Sequence, residues 1–337
     1  MDAIPLIRAR YLHAFAIAAE KMGVRSERLF EDLDIPESVT ESPDTLHPAS
    51  QLFAFAAHAA RRTGRPDLGL VAGRTELKAH GAFGEQVVSS LTLHQALGTF
   101  CAEALKEYSR AHFWIEPRGE TVWFCRDRID GSEDERQQIE LYLVVLMLQT
   151  VRMVAGPGWR PRELWLQSIR ERELRDSPAL TRVEVRFGSP ILALPIPRKL
   201  MIRTAPRRER EASAVVIASD LTEPEMPAAD FIGSMRQLIR VYLPSGHPGI
   251  ESVAEVAGTS VRTLQRRLGA HGMSYSQLVD EVRLEAALPL LEDPTVPVTE
   301  IAYGVGYTFP AHFTRAFRRW TSVSPSEYRV GLLTQDD

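Results

Sequence analysis

The C-terminal third of the chain writes one short pattern twice. VAEVAGTSVRTLQRRL occupies residues 253–268, and IAYGVGYTFPAHFTRAF occupies residues 301–317. Aligned on their glycines, Ile250, Val253, Ala254, Ala257 and Gly258 correspond to Val298, Ile301, Ala302, Val305 and Gly306. Leu264-x-Arg266-x-Leu268 then corresponds to Phe313-x-Arg315-x-Phe317. A duplicated unit constrains the fold more tightly than composition does, because it demands the same supersecondary element in two places. In each copy a short apolar-periodic segment ends at a glycine free to reverse the chain, and a second begins just beyond it. That is the pattern of two helices joined by a tight turn.

In the first copy Ser260 is placed to cap the second helix, and Val253, Val256, Ala257, Val261, Leu264 and Leu268 form a shared core. Arg262, Gln265 and Arg266, spaced i, i+3, i+4, are left on the opposite face. Three long hydrogen-bonding side chains pointing one way suit the major groove, where Arg pairs with guanine O6 and N7 and Gln with adenine N6 and N7. Arg267, at the margin of that face, suits a phosphate. The second copy puts Thr308 near a helix start, Phe313 and Phe317 inward, and Thr314, Arg315 and Arg318 outward, with Arg319 beside them. Between the copies, Ser274-x-x-Gln277 opens a long helical pattern as a capping box, although Pro289 falls inside it at a cost of ~3 kcal/mol unless the helix ends or kinks there. Ser324-Pro325-x-Glu327 opens a last helix.

At 337 residues the chain exceeds one typical domain. Hydrophobic residues are 44% and charged residues 25%, an ordinary globular balance. The net charge of -4 argues against a basic coat, so positive charge is local to the repeats. The longest apolar run, Leu141 to Leu148, is too short to span a bilayer, and the N-terminus carries no signal pattern, so a cytoplasmic protein is expected. Cys101 and Cys125 offer neither a disulfide framework nor a metal motif.

Upstream, helical periodicity covers residues 1–34, 47–64, 89–109 and 133–155. AHFWIEP and ETVWFCRD flank Arg118-Gly119 as a hairpin, and ELWLQSI and RVEVRFG are strand candidates. Prolines and charges between Ile202 and Asp230 mark a linker, whose Arg207, Arg208 and Arg210 either touch phosphate or lie solvated. Trp114, Trp123, Tyr142 and Trp165 are candidates to line an effector pocket, the alternative being ordinary core. Arg152, on an otherwise apolar helix, is read as holding either an anionic effector or a structural salt bridge. His80, beside Gly81, is read as a loop residue without function.

Residues 231–330 closely resemble the DNA-binding domain of AraC/XylS-type transcriptional regulators, through the repeat, RTLQRRL, RLEAA, IAYGVGY, HFTRAFRRW and SPSEYR in order. The resemblance implies that Arg262, Gln265 and Arg266 face bases in the first unit, and Pro310, Ala311, Thr314, Arg315 and Arg318 in the second. Ser260, Arg267, Thr308 and Arg319 complete the candidate DNA-contacting set. Gly249 and Pro297 depart from the Ser usual as a cap. Pro310 and Ala311 carry no side-chain donors, so unequal half-sites are expected. Residues from about 20 to 205 look like the arabinose-binding-type N-terminal domain of the ornithine-utilisation branch, through PDLGLVAG, GAFGEQVVSSLTLHQALGTFCAEALKEYS, GPGWRPRELWLQ and VRFGSP. This implies effector sensing and dimerisation without fixing the ligand.

The expectation is therefore a mixed α/β N-terminal sensory domain plus an all-α C-terminal domain with two helix-turn-helix units joined by a helix. Residues 1–205 would sense an effector and dimerise, 206–230 would link, and 231–337 would bind DNA. No catalytic residue, cofactor or metal site is read, for HExxH, P-loop, GxSxG and GxGxxG are all missing. Partners would be double-stranded DNA, a small-molecule effector, RNA polymerase if the protein activates, and a second copy, with no membrane. The alternatives are control by a protein partner, or an enzyme domain fused to a DNA-binding tail.

Overall fold

The computed structural model describes residues 3–35, 39, 42–170, 174, 177, 180–204, 225–246 and 248–333. Most of the expected linker, 206–224, with its arginine cluster, lies outside the described residues. The chain divides into two compact units, one of residues 5–227 and one of residues 228–337 together with 1–4. Ala3 and Ile4 thus join the helical unit, not the N-terminal one the sequence assigned them to. The Ile4 N–H donates to Ser234 Oγ at 3.0 Å, a tie that sequence periodicity does not reveal.

In the unit of residues 5–227, β1 (Leu6–Arg8) pairs antiparallel with β2 (Leu46–Pro48). Helices α1 (Arg10–Lys21), α2 (Ser26–Glu31), α3 (Ala49–Thr63), α4 (Leu68–Ala72), α5 (Gly81–Ser89) and α6 (Leu93–Glu107) follow. After β3 (Phe113–Arg118) and β4 (Thr121–Arg126) comes α7 (Glu133–Ala155). Its start is fixed by a capping box, in which Ser132 N–H donates to Glu135 Oε2 at 2.7 Å and Ser132 Oγ accepts from Glu135 N–H. By length and composition α7 could cross a membrane, yet 72% of its apolar stretch is buried within the unit. It is the core helix against which α3, α4 and α6 pack.

Then come β5 (Glu163–Trp165), β6 (Glu184–Arg186) and β7 (Leu192–Pro197), giving a five-stranded sheet of order β3-β4-β7-β5-β6. The hairpin and the two short strands lie where the sequence put them, but β7, at the centre, was not foreseen. Pro195 and Pro197 argue against a central strand because each lacks a ladder donor. The strand tolerates them because Arg198 N–H bonds to Glu120 O on the β4 side, so nitrogens two and four residues earlier face that way too. Both proline nitrogens face the other edge, where β5 pairs only at Ala193.

The unit of residues 228–337 is helical throughout its described residues: α8 (Phe231–Tyr242), α9 (Ile250–Val256), α10 (Val261–Ala270), α11 (Tyr275–Glu292), α12 (Val298–Gly304), α13 (Pro310–Thr321) and α14 (Pro325–Leu333). Helix α11 joins the two helix-turn-helix units, α9–α10 and α12–α13. Its Ser274/Gln277 capping box is present, and it runs through Pro289 to Glu292. Pro289 and Glu285 are both exposed, so the carbonyl that Pro289 deprives of a donor lies on the solvent side near the helix end. Ala287 and Leu291 of α11 pack with Ile301, Ala302, Val305, Phe313 and Phe317 into the core of the second unit. Arg283, buried in α11, donates from Nε to Val305 O at 3.2 Å and from Nη2 to Gly306 O at 3.1 Å, which fixes the second turn directly to the joining helix.

Candidate functional site

The first turn is closed by Gly258 at φ +66°, after which Ser260 Oγ accepts from Thr263 N–H at 3.2 Å and starts α10. Leu264 and Leu268 are buried. Arg262, Gln265 and Arg266 are exposed on the other side, and none has an ion pair or hydrogen bond among the described residues. Desolvating such side chains against a ligand therefore breaks no hydrogen bond or ion pair among the described residues.

Arg267 departs from its expected place at phosphate. It follows Leu264 by one helical turn, so it lies on the core side. Its guanidinium sits 3.8 Å from the centroid of the Phe231 ring on α8, a cation–π contact that holds two helices together.

The second turn is one residue longer. Gly306 at φ +81° is followed by Tyr307 and Thr308, and Phe309 occupies the N-cap position of α13, where it makes no side-chain cap bond. Thr308 is exposed just before the cap, so the helix starts two residues after it, and Pro310 is the first helical residue. Phe313, Ala316 and Phe317 are buried. Ala311 and Arg315 are exposed on the far side, and Arg315 has no ion pair or hydrogen bond among the described residues. Thr314 Oγ1 donates to Pro310 O at 3.2 Å. Arg318 approaches Glu327 at 3.4 Å and Arg319 pairs with Asp280 at 2.7 Å, so both are partly neutralised. Phe309 is 61% exposed, with its ring centroid 5.5 Å from that of His312. An apolar tip of Phe309, Pro310 and Ala311 thus replaces the polar surface of the first unit.

The N-terminal unit contains a cavity of about 50 Å³, larger than the roughly 10–15 Å³ that admits one water. Of the five effector candidates, only Tyr142 lines it. Side chains alternate along a strand, so Val122 and Phe124 of β4 face the main core while Trp123 and Cys125 face away. Trp114, Trp123 and Trp165 form a separate cluster on that second face of the sheet. Arg152 donates from Nε to Trp159 O at 3.0 Å just beyond α7, and has no salt bridge among the described residues. His80 is buried, contrary to its reading as a loop residue. Its Nδ1 lies 3.1 Å from both Glu76 O and Leu77 O, which accept its proton, leaving Nε2 to accept from Tyr142 OH at 2.6 Å. Burial pushes the His80 imidazole down to about 4, so it is neutral near pH 7.

Sequence reasoning missed the polar groups that converge on the cavity. Tyr11 OH donates to Glu107 Oε2 at 3.0 Å, Arg10 Nε lies 3.6 Å from the same carboxylate, and Arg126 also lines the wall. One signal was available for Arg126. It shares the alternation of Val122 and Phe124, so a charge occupies the inward face of an apolar strand. Among the described residues no group of three or more His, Cys, Asp or Glu side chains could hold a metal ion.

Comparison with known proteins agrees with this arrangement. Residues 253–330 match the helix-turn-helix domain family, and residues 23–204, more than half of the chain, match the arabinose-binding domain of AraC transcription regulators. The chain is 27% identical to the ornithine utilization regulator of Pseudomonas aeruginosa over 96% of each chain. It is 25% identical to the regulator VirS of Mycobacterium tuberculosis over 98% of each. Among solved structures, the transcriptional regulator CdpR from Pseudomonas aeruginosa aligns with a TM-score of 0.42 at 22% identity, covering 90% of this chain and 96% of that one. A paired helix-turn-helix unit preceded by the matched N-terminal domain makes this chain a member of the AraC family of DNA-binding transcription regulators.

Proposed function

We propose that the protein binds a two-part duplex site, reading one half through Arg262, Gln265 and Arg266 of α10 and the other through Pro310, Ala311, Thr314, Arg315 and Arg318 of α13. Ser260, Thr308 and Arg319 serve the flanking phosphates. In such a site two recognition helices enter successive major grooves about one helical turn, ~34 Å, apart. The observation that carries this reading is the outward face of α10, with three exposed side chains that make no hydrogen bond or ion pair among the described residues. Each bidentate base contact contributes ~1–3 kcal/mol of discrimination.

A small molecule in the N-terminal cavity biases DNA binding by favouring one conformational state of the protein, which requires unequal affinity for the two states. An internal cavity with convergent polar groups supports a small molecule over a protein partner as the signal. The output is activation, through contact with RNA polymerase, and the protein works in the cytoplasm as a homodimer without enzymatic activity. Exposed Leu91 and Ile202 offer apolar surface for the dimer, brought near one another by Leu93 N–H bonding to Arg203 O at 3.2 Å.

Fluorescence anisotropy with duplexes selected from a random pool tests the DNA reading. The selected duplex should bind at least about a thousandfold more tightly than an unrelated one at matched salt. Equal affinity for both would contradict sequence-specific recognition, and sedimentation of the full chain as a monomer at micromolar concentration would contradict the dimer.

A further inference from the structure

The N-terminal cavity has the wrong walls for a sugar. A pentose carries hydroxyls around its whole ring, and each one buried without a partner costs about 1–3 kcal/mol. Here the wall is built mainly from phenylalanine, leucine and isoleucine side chains, with a few polar groups among them. Most of those groups are committed. Tyr11 OH is spent on Glu107, Tyr142 OH on His80, and the Glu107 carboxylate is compensated by Arg10. Burial also pushes the Glu107 carboxyl above the usual carboxylate range.

Arg126 is different. It is 1% exposed, and its Nε has no hydrogen-bond partner among the described residues. Its Nη1 donates to Asp127 O at 3.1 Å and lies 3.8 Å from the Asp127 carboxylate, long for an ion pair. The guanidinium stands 5.5 Å from the Phe113 ring centroid and 5.9 Å from that of Tyr108. Buried charges are ordinarily paired and hydrogen-bonded, so a cation with an unused donor beside an apolar cavity is a half-built anion site.

The geometry points to an effector of one chemical class: a small monocarboxylic acid whose apolar body fills the aromatic cavity and whose carboxylate accepts hydrogen bonds from Arg126. The assignment rests on the reading of the N-terminal unit as the effector-binding half. A charge-assisted pair at low dielectric outweighs a neutral hydrogen bond roughly twofold in energy, and that difference favours an acid over its amide. Size restricts the class sharply, since about 50 Å³ is roughly a third of the ~150 Å³ apolar cavity that holds benzene, which leaves room only for the shortest acyl chains and not for a ring.

The test uses the full-length protein and titration calorimetry with acetate, propanoate and butanoate, each beside its primary amide, and with L-arabinose. At least one acid should bind with an affinity about tenfold or more above its amide and raise the melting temperature. Arg126→Gln, checked for native circular dichroism, should remove the preference for the acid while leaving the amide's affinity within about twofold. Arg126→Lys keeps the charge and should keep the preference, which guards against a Gln variant that fails to fold. Ala104→Leu, which fills the cavity, should weaken acid and amide together. The assignment is overturned if acids and amides bind equally, if Arg126→Gln retains the preference, if none of the acids binds at millimolar concentration, or if arabinose binds and the acids do not. Arabinose or amide binding that alters DNA affinity would leave effector control standing and sink only the ligand class. A bound acid that leaves DNA affinity unchanged would sink effector control instead.

Discussion

The two helix-turn-helix units share a core and differ in what they show to a partner. Leu264 and Leu268 in the first do the work of Phe313 and Phe317 in the second. Outside that core, the first unit shows Arg262, Gln265 and Arg266, while the second shows Phe309, Pro310, Ala311 and Arg315, with Arg318 and Arg319 drawn toward Glu327 and Asp280. Packing requires apolar side chains at fixed helical positions, so the repeat persists there. Surface positions carry no such constraint, and they are where the two halves of a DNA site can be told apart.

The aligned glycines differ most. A Cβ on Gly306 would stand 2.5 Å from Leu243 O and 2.7 Å from Gly246 O, whereas one on Gly258 would meet nothing within 4 Å. Both glycines have positive φ, which costs a non-glycine residue about 1–2 kcal/mol. Gly306→Ala should therefore lose that amount plus a clash with backbone that cannot swing away, above ~3 kcal/mol in all, and Gly258→Ala only the first part. Denaturant unfolding of the two variants measures the difference, and equal losses would mean that the second turn is not locked as described.

Next in size, Arg262→Ala should weaken binding to a selected duplex by ~1–3 kcal/mol and relax specificity in one half-site. Arg315→Ala should cost less. Equal losses and equally relaxed specificity at matched salt would remove the asymmetry. Smaller again is the effect of replacing thymine by uracil. Apolar Phe309, Pro310 and Ala311 suit the thymine methyl, so the change should matter only in the half-site facing α13 and should vanish in Phe309→Ala. Least affected is Arg319→Ala, since that side chain is already paired with Asp280. The slope of log affinity against log salt should fall by about one or less, with no change in sequence preference.

The sequence made the helical unit legible because its determinants are local: a glycine at each turn, Ser260, Ser274 and Ser324 as caps, and apolar residues at helical spacing. Helix α7 was readable for the same reason. Strand β7 was not, since the pairing that excuses Pro195 and Pro197 is made with β4, some seventy residues away in the chain. The cavity was hardest to see. Tyr11, Glu107, Arg126 and Tyr142 come from four separate elements, so no spacing announces them, and the tryptophans that stood out by size belong to the opposite face of the sheet. Arg267 looked like its neighbours because composition does not record the one-turn offset that places it over Phe231.

Selection of duplexes from a random pool by the full-length protein, followed by sequencing, tests the asymmetry most directly. The expected result is a bipartite site with sharply defined bases, guanine among them, in the half facing α10, and a thymine-rich, less defined half facing α13. Two equally sharp half-sites, or a site that keeps its first half unchanged when Arg262 and Arg266 are both replaced by alanine, would contradict it.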